Sequence, residues 1–401
     1  MPLGLYISVP FCRTKCSYCN FASEVFSRAL FQNYVDHVCG AIENAQRTAE
    51  AMGARFDTRV DSIYFGGGTP TLLDIAQLER IFVTISQNFE ILPTAEVTVE
   101  CAPGTLTPAL TENLARWGVN RVSLGVQSFV DAEAAAVGRQ HSRSIVLEDI
   151  ERLRVSGIEN VNIDLIAGLP HQTSESWKRS LDEVIATHVR HVSVYMLEVD
   201  EDSRLGRELI AGGTKYHAHF VPDEDLIADF YETACGTLEE AGIHQYEISN
   251  FTRAGFESSH NLKYWTRQPY WGFGVDAHSM LRSADPAFEA VRFSAADSLE
   301  RYMQAGEVSK SFISAHSALE EEFFLGLRLN RGVSVLALKE KFGKAEVEDF
   351  SEVIEQSVAD GSIESHGNTI RLTPRGRLLS NEVFARFISV RSETATPLPG
   401  D

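Results

Sequence analysis

Pro10-Phe11-Cys12-Arg13-Thr14-Lys15-Cys16-Ser17-Tyr18-Cys19 is the stretch from which the rest of this chain can be read. It places three cysteines in a C-x3-C-x2-C spacing directly after the apolar run 3–9, which reads as a β-strand. Protein usually supplies a thiolate to each of the four irons of a [4Fe–4S] cube. Here a compact loop offers Cys12, Cys16 and Cys19 and no obvious fourth. An iron left open in this way can take a small molecule, so the spacing points to a reactive cluster rather than an electron wire. Zinc normally takes four ligands in paired short spacings, and no second Cys or His pair follows nearby. A disulfide framework suits a small secreted domain, whereas this chain is long and starts without a signal peptide.

Working outward, 401 residues predict two or three domains with a substantial core. An apolar fraction of 44% and a charged fraction of 23% are ordinary for a soluble globular protein. No apolar run approaches bilayer length, so an integral membrane protein is not expected. The other cysteines, Cys39, Cys101 and Cys235, are scattered, a usage that suits a reducing cytoplasm and predicts a cytoplasmic protein. A formal charge of −20 disfavours a phosphate-backbone footprint, so nucleic acid is not an expected partner.

Short β-rich runs alternate with amphipathic stretches, which predicts parallel βα units. The strands are expected at 3–9, 60–65, 95–100, 121–126, 161–166 and 191–197, with helices at 75–88, 108–117, 144–155 and 174–187. Six units predict an α/β fold, an open (β/α)6 partial TIM barrel over residues 1–221. A connecting segment follows at 222–313, with a helix at 223–241, a strand-like run at 246–251 and an aromatic loop. Residues 314–390 read as a winged-helix-like α+β domain: helices, a hairpin (362–364 and 369–372) and a last helix at 374–388. The remaining 391–401 reads as a flexible tail. A winged helix often binds DNA, but this one holds few arginines in an acidic chain, which favours scaffold.

A barrel puts its active site at the C-terminal ends of its strands. Strand two ends in Gly66-Gly67-Gly68-Thr69-Pro70, strand three in Glu100 and strand four in Gln127, while Asp164 sits inside strand five. The glycine run lacks the Lys-Ser/Thr of a phosphate loop, and its plain reading is a tight turn. A carboxylate in a strand needs partners, so Asp164 is either ion-paired or bound to ligand hydroxyls.

The cysteine spacing resembles the signature of radical S-adenosylmethionine (SAM) proteins. In them SAM caps the fourth iron, and the reduced cluster cleaves its C–S bond to a 5′-deoxyadenosyl radical. On that resemblance the glycine backbone can approach the methionyl ammonium, Asp164 and Gln127 the ribose, and Glu100 either one. Arg139 offers a planar fork for the carboxylate. Tyr6, Phe11 and Tyr18 can shield the cluster and help hold adenine, or simply pack.

Within that superfamily the chain is similar to the HemN/HemW group. The similarity rests on Tyr6, Pro10-Phe11-Cys12, Cys16, Tyr18, Cys19, Gly66-Gly67-Gly68-Thr69-Pro70-Thr71, Glu100, Gly125-Val126-Gln127, Arg139 and Asn162-Ile163-Asp164-Leu165-Ile166-Ala167-Gly168-Leu169-Pro170. It covers roughly 3–387 and implies a radical-SAM barrel followed by a HemN-type domain. It also implies that Tyr6, Tyr18, Gly67, Gly68, Thr69, Glu100, Gln127, Arg139 and Asp164 contact SAM.

The group holds two activities: an oxygen-independent coproporphyrinogen III dehydrogenase of porphyrin biosynthesis, which oxidatively decarboxylates propionates, and a haem chaperone. The dehydrogenase pattern carries one more cysteine, where this chain has Phe21, and an N-terminal arm before strand one. His260-Asn261-Leu262-Lys263-Tyr264-Trp265 resembles the H-N-x-x-Y-W motif of the chaperones. That resemblance makes His260 a haem ligand and lays Tyr264 and Trp265 against the porphyrin. The plainer reading is a hydrogen-bonded loop histidine with aromatics plugging a domain junction. His278 is given no role. The expected function is thus a haem chaperone carrying SAM, a [4Fe–4S] cluster and haem, passing haem to an acceptor protein in solution or at a membrane. The alternatives are the dehydrogenase, a related enzyme with another substrate, and a winged-helix regulator with a redox cluster. Whether the chain is an enzyme stays open.

Overall fold

The computed structural model describes residues 1–304 and 309–388, so the expected tail at 391–401 lies outside the described residues. Six strands form the barrel: β1 (Leu3–Val9), β2 (Arg59–Gly67), β3 (Glu90–Cys101), β4 (Arg121–Gln127), β5 (Asn160–Ala167) and β6 (His191–Met196). Each runs parallel to the next in sequence order, which is the expected open barrel. Between them lie helices started by local signals. Asp74 and Gln77 form a capping box before Ile75–Asn88, Thr107 caps Pro108–Arg116 with proline in the first turn, and Thr173 caps Ser174–Ala186.

The two faces of this sheet differ in chemistry. Outward residues such as Phe65 pack on the helices, with the Phe65 and Phe82 rings 4.6 Å apart. The inward positions are polar and bond across strands. Asn162 Nδ2 donates to Ser123 Oγ (2.7 Å), Asp164 Oδ1 (2.8 Å) and Ser193 Oγ (3.0 Å). His191 joins Asn162 Oδ1 (2.7 Å) to the Tyr246 hydroxyl (3.0 Å). A barrel interior normally packs branched apolar side chains; here a hydrogen-bonded polar network replaces them.

The segment read from sequence as a connector does more than connect. Its strands β7 (His244–Gln245), β8 (Asn250–Thr252), β9 (Tyr270–Phe273), β10 (His278–Arg282), β11 (Ala290–Ser294) and β12 (Ser309–Ile313) extend both edges of the same sheet. β9 lies parallel to β1, and β8 lies antiparallel to β6. The strand expected at 246–251 is confined to β8. Ahead of it the chain turns around the buried carboxylate of Glu247, which accepts from Ser249 N and Asn250 Nδ2 and pairs with Arg328 at 3.2 Å.

The C-terminal unit holds helices Ala315–Gly326, Val335–Phe342, Lys344–Glu348 and Ser351–Ala359, with a sheet of β13 (Val333–Ser334), β15 (Thr369–Leu372) and β14 (Ile363–His366). Phe323, Phe350 and Phe387 stack at its centre. Ser351–Ala359 carries Glu352 and Glu355 and no Lys or Arg, an unsuitable surface for a phosphate backbone. The single helix expected at 374–388 is broken at Leu379 into Pro374–Leu378 and Ser380–Ala385. Gly376 lies so close to the Ser362 carbonyl that the first piece is fixed against the hairpin, while Val383 and Phe384 must turn into the core.

Candidate functional site

A cavity of about 580 Å3 opens at the C-terminal ends of the strands. Cys12, Cys16, Cys19, Tyr18, Gly67, Gly68, Thr69, Glu100, Gln127, Arg139 and Asp164 all line it. The structure thus brings most of the sequence-expected site together on one rim. Tyr6 sits below, its ring 6.1 Å from that of Tyr64, and does not line the cavity wall.

The cysteine loop is pinned by its own backbone. Cys12 N donates to Glu24 O (3.0 Å), Ser17 N to Val137 O (3.2 Å) and Cys19 N to Cys16 O (3.3 Å). Lys15 Nζ donates to the carbonyls of Phe21 and Ser23 at 2.6 Å, and Leu205 N to Ser17 O at 2.8 Å. All three thiols are free and half-buried, and burial pushes the Cys12 thiol above its ordinary range. Among the described residues no three ligating side chains converge on a point for one metal ion.

Gly67 and Gly68 explain how strand two ends against that loop. Gly67 has φ +98°, and a Cβ on Gly68 would lie 2.7 Å from Phe11 O and 2.8 Å from Val9 O. Gly68 N and Thr69 N donate to those two carbonyls, both at 2.8 Å. The tight-turn reading and the close-approach reading are therefore one geometry.

The polar wall offers bonding capacity the protein itself leaves unused. Gln127 Oε1 and Arg139 Nε are buried without partners, and Gln127 holds a left-handed φ of 69°. Arg139 Nη2 donates to the Tyr18 hydroxyl at 3.0 Å. Glu100 accepts from the Tyr64 hydroxyl at 2.8 Å, and burial, abetted by Asp164, pushes its carboxyl up to about 7. Burial raises Asp164 too, against hydrogen bonds from Ser193, Asn162 and Ser123. A zwitterion bearing hydroxyls and a cationic centre matches this donor set, and three thiols fit a cluster with one open iron. Tyr64, Ser123 and Tyr195 also line the cavity and were not anticipated. Alternation along β2 and β4 marks the first two, since they share the inward face with Ser62 and Arg121.

His260, Tyr264 and Trp265 lie elsewhere, toward the N-terminal ends of the strands, on the helix Ser259–Trp265. Glu96 caps this helix, accepting from Ser259 N (3.0 Å) and His260 N (3.1 Å). His260 is 1% exposed, and both ring nitrogens are engaged: Nδ1 with Ser62 Oγ (3.0 Å) and Nε2 with the Tyr264 hydroxyl (2.8 Å). Burial, with Lys263 and Arg121 nearby, pushes its pKa down to about 3. Trp265 lies under the Arg328 guanidinium, 4.1 Å from the ring centre. His278 is exposed beside Asp276 at 3.7 Å.

Comparison with known proteins bears on the family and the fold. The radical SAM superfamily matches residues 6–184 and the HemN C-terminal domain matches 313–379. A Bacillus subtilis protein named heme chaperone HemW is 34% identical over 96% of this chain and 98% of its own length. The Lactococcus lactis protein of the same name is 32% identical over 96% and 97%. The coproporphyrinogen III oxidase HemN from Escherichia coli superposes with a TM-score of 0.81 at 23% identity, over 96% of this chain and 90% of that one, a likeness of fold. Among the described residues no helix is long and apolar enough to cross a membrane.

Proposed function

This chain belongs to the HemN/HemW group of the radical SAM superfamily, and on that premise we propose that it is a haem chaperone carrying a SAM-capped [4Fe–4S] cluster. Cys12, Cys16 and Cys19 hold three irons. Arg139 grips the SAM carboxylate, Glu100 in its ionised form takes the ammonium or ribose, and Asp164 and Gln127 take the ribose hydroxyls. Gly67, Gly68 and Thr69 present backbone to the methionyl end, with Tyr6 beneath and Tyr18 beside the cluster. When bound, the cluster supplies an electron and an open iron to the sulfonium.

The observation that carries the chaperone reading is Phe21. It stands 64% exposed at the cavity rim, at the position where the dehydrogenase pattern has a further thiol. Haem contact by His260, Tyr264 and Trp265 requires Nε2 of His260 to leave the Tyr264 hydroxyl and the helix to swing from its Glu96 cap. The acceptor is a haem-receiving protein. Hemin titration of the anaerobically reconstituted protein tests this reading through the Soret band. Conversion of coproporphyrinogen III to protoporphyrinogen IX with SAM and reductant would replace it with the dehydrogenase.

A further inference from the structure

We propose that the haem iron is first taken at Nε2 of His217, on an exposed platform beside the cysteine loop; this rests on the haem-binding reading above. His260 in the arrangement described has no nitrogen to give. His217 does. Its Nδ1 is 3.0 Å from Nε2 of His171, and among the described residues its Nε2 makes no hydrogen bond. Metal-bound imidazoles characteristically have the second nitrogen held by a neighbour, which fixes tautomer and ring direction. The pair presents that arrangement before any metal arrives.

Both histidines are held in place by backbone rather than left on a loose tip. Each has a left-handed φ, 67° at His171 and 60° at His217, a conformation other than glycine seldom adopts without cause. His171 N donates to Phe220 O at 2.9 Å. Glu208 accepts from Tyr216 N (2.8 Å) and Ala218 N (3.1 Å), tying the His217 segment to the helix Arg204–Ala211.

The surroundings suit a flat apolar ring with acidic edges. The Phe220 ring stacks on His171 at 4.2 Å and is 56% exposed, and Ile210 on the tied helix is 68% exposed. Lys215, two residues before His217 and with its Nζ 5.1 Å from the Tyr216 ring centre, is the nearby cation for a propionate in a chain of net charge −20. Beneath the platform, Ala218 and Leu205 pack with Ile166 and Leu197, and the last two line the cavity. The platform and the cluster site share one wall. Uptake forms an iron–nitrogen bond from the Nε2 lone pair and releases water from ferric haem, with no electron transferred.

Hemin titration of wild type, His217→Ala, His171→Ala, His260→Gln and His278→Gln, read at the Soret band, tests the assignment. His217→Ala should lose at least tenfold in affinity, and His171→Ala about 10- to 100-fold, the usual cost of an orienting partner. His260→Gln should weaken binding less than His217→Ala does, and His278→Gln, at an exposed histidine outside both haem-contact sets, should bind as wild type does. His217→Met should still bind, with a displaced Soret maximum, which separates lost ligation from lost folding. Unchanged titration of His217→Ala overturns the proposal, as does loss confined to His260→Gln. Equal binding of metal-free protoporphyrin IX also overturns it, because ligation would then contribute nothing. A wild type that takes no hemin refutes haem binding itself.

Discussion

The hydroxyl of Tyr64 donates to Oε1 of Glu100 at 2.8 Å while its ring lies 5.3 Å from that of His260. One side chain thus touches both the cavity floor and the helix at the barrel's other end. A hydrogen bond to a charged group is worth about 1.5–3 kcal/mol. Tyr64→Phe should weaken SAM binding by about tenfold or more, measured as the SAM-dependent change in the EPR signal of the reduced cluster. An unchanged dependence would mean that Glu100 does not meet SAM as an anion.

Glu100 also sets a pH dependence. Its carboxyl titrates near 7 in the fold against an ordinary 4.5. Between those values the folded protein holds a proton that the unfolded chain has released, so this group's contribution to stability falls as pH rises. Tyr64, the Gly67 amide and Arg121 favour the anion, while burial and Asp164 oppose it. Glu100→Gln removes the effect. The ligand-free wild type should lose up to about 3 kcal/mol relative to that variant from pH 4.5 to 8. Thermal melts of the two proteins at both ends of the range check the sign.

Substituting Cys12, Cys16 or Cys19 singly with alanine should abolish cluster reconstitution, seen as loss of iron and acid-labile sulfide. Cys39, buried in the helix Phe31–Glu43, and Cys235, in Glu224–Glu240, should tolerate alanine with full iron content.

Gly68→Ala places a methyl against two backbone carbonyls that cannot step aside. Overpacking of this kind costs about 1–3 kcal/mol, and here it pushes strand two away from the cysteine loop. A lower Tm together with weakened SAM binding is the expected pair of results.

His260→Ala strands two buried hydroxyls, those of Ser62 and Tyr264. The expected loss is about 2–4 kcal/mol, read as a fall in denaturant midpoint with or without haem.

Local signals made much of this legible in sequence. The six barrel strands are short apolar runs, capping residues mark the helices after β2, β3 and β5, and the cysteine loop and glycine turn follow two strands directly. What escaped depends on distant pairing. Tyr270-Trp271-Gly272-Phe273 reads as an aromatic loop because its partner is β1, far back in the chain. His260 looked available because Ser62, one of its two partners, lies 198 residues away. The polar lumen was half visible: Asn162 and Asp164 alternate with Val161, Ile163 and Leu165, but Asp164 alone stood out as a ligand group.

The strands that flank the barrel come late. β8 and β9, which cover β6 and β1, are made only after residue 249. While the ribosome is still short of that point, both margins of the six-strand core offer bare amides and carbonyls to any neighbouring chain. A truncation after residue 221 should therefore precipitate, and newly made protein depends on its second half arriving before another molecule does.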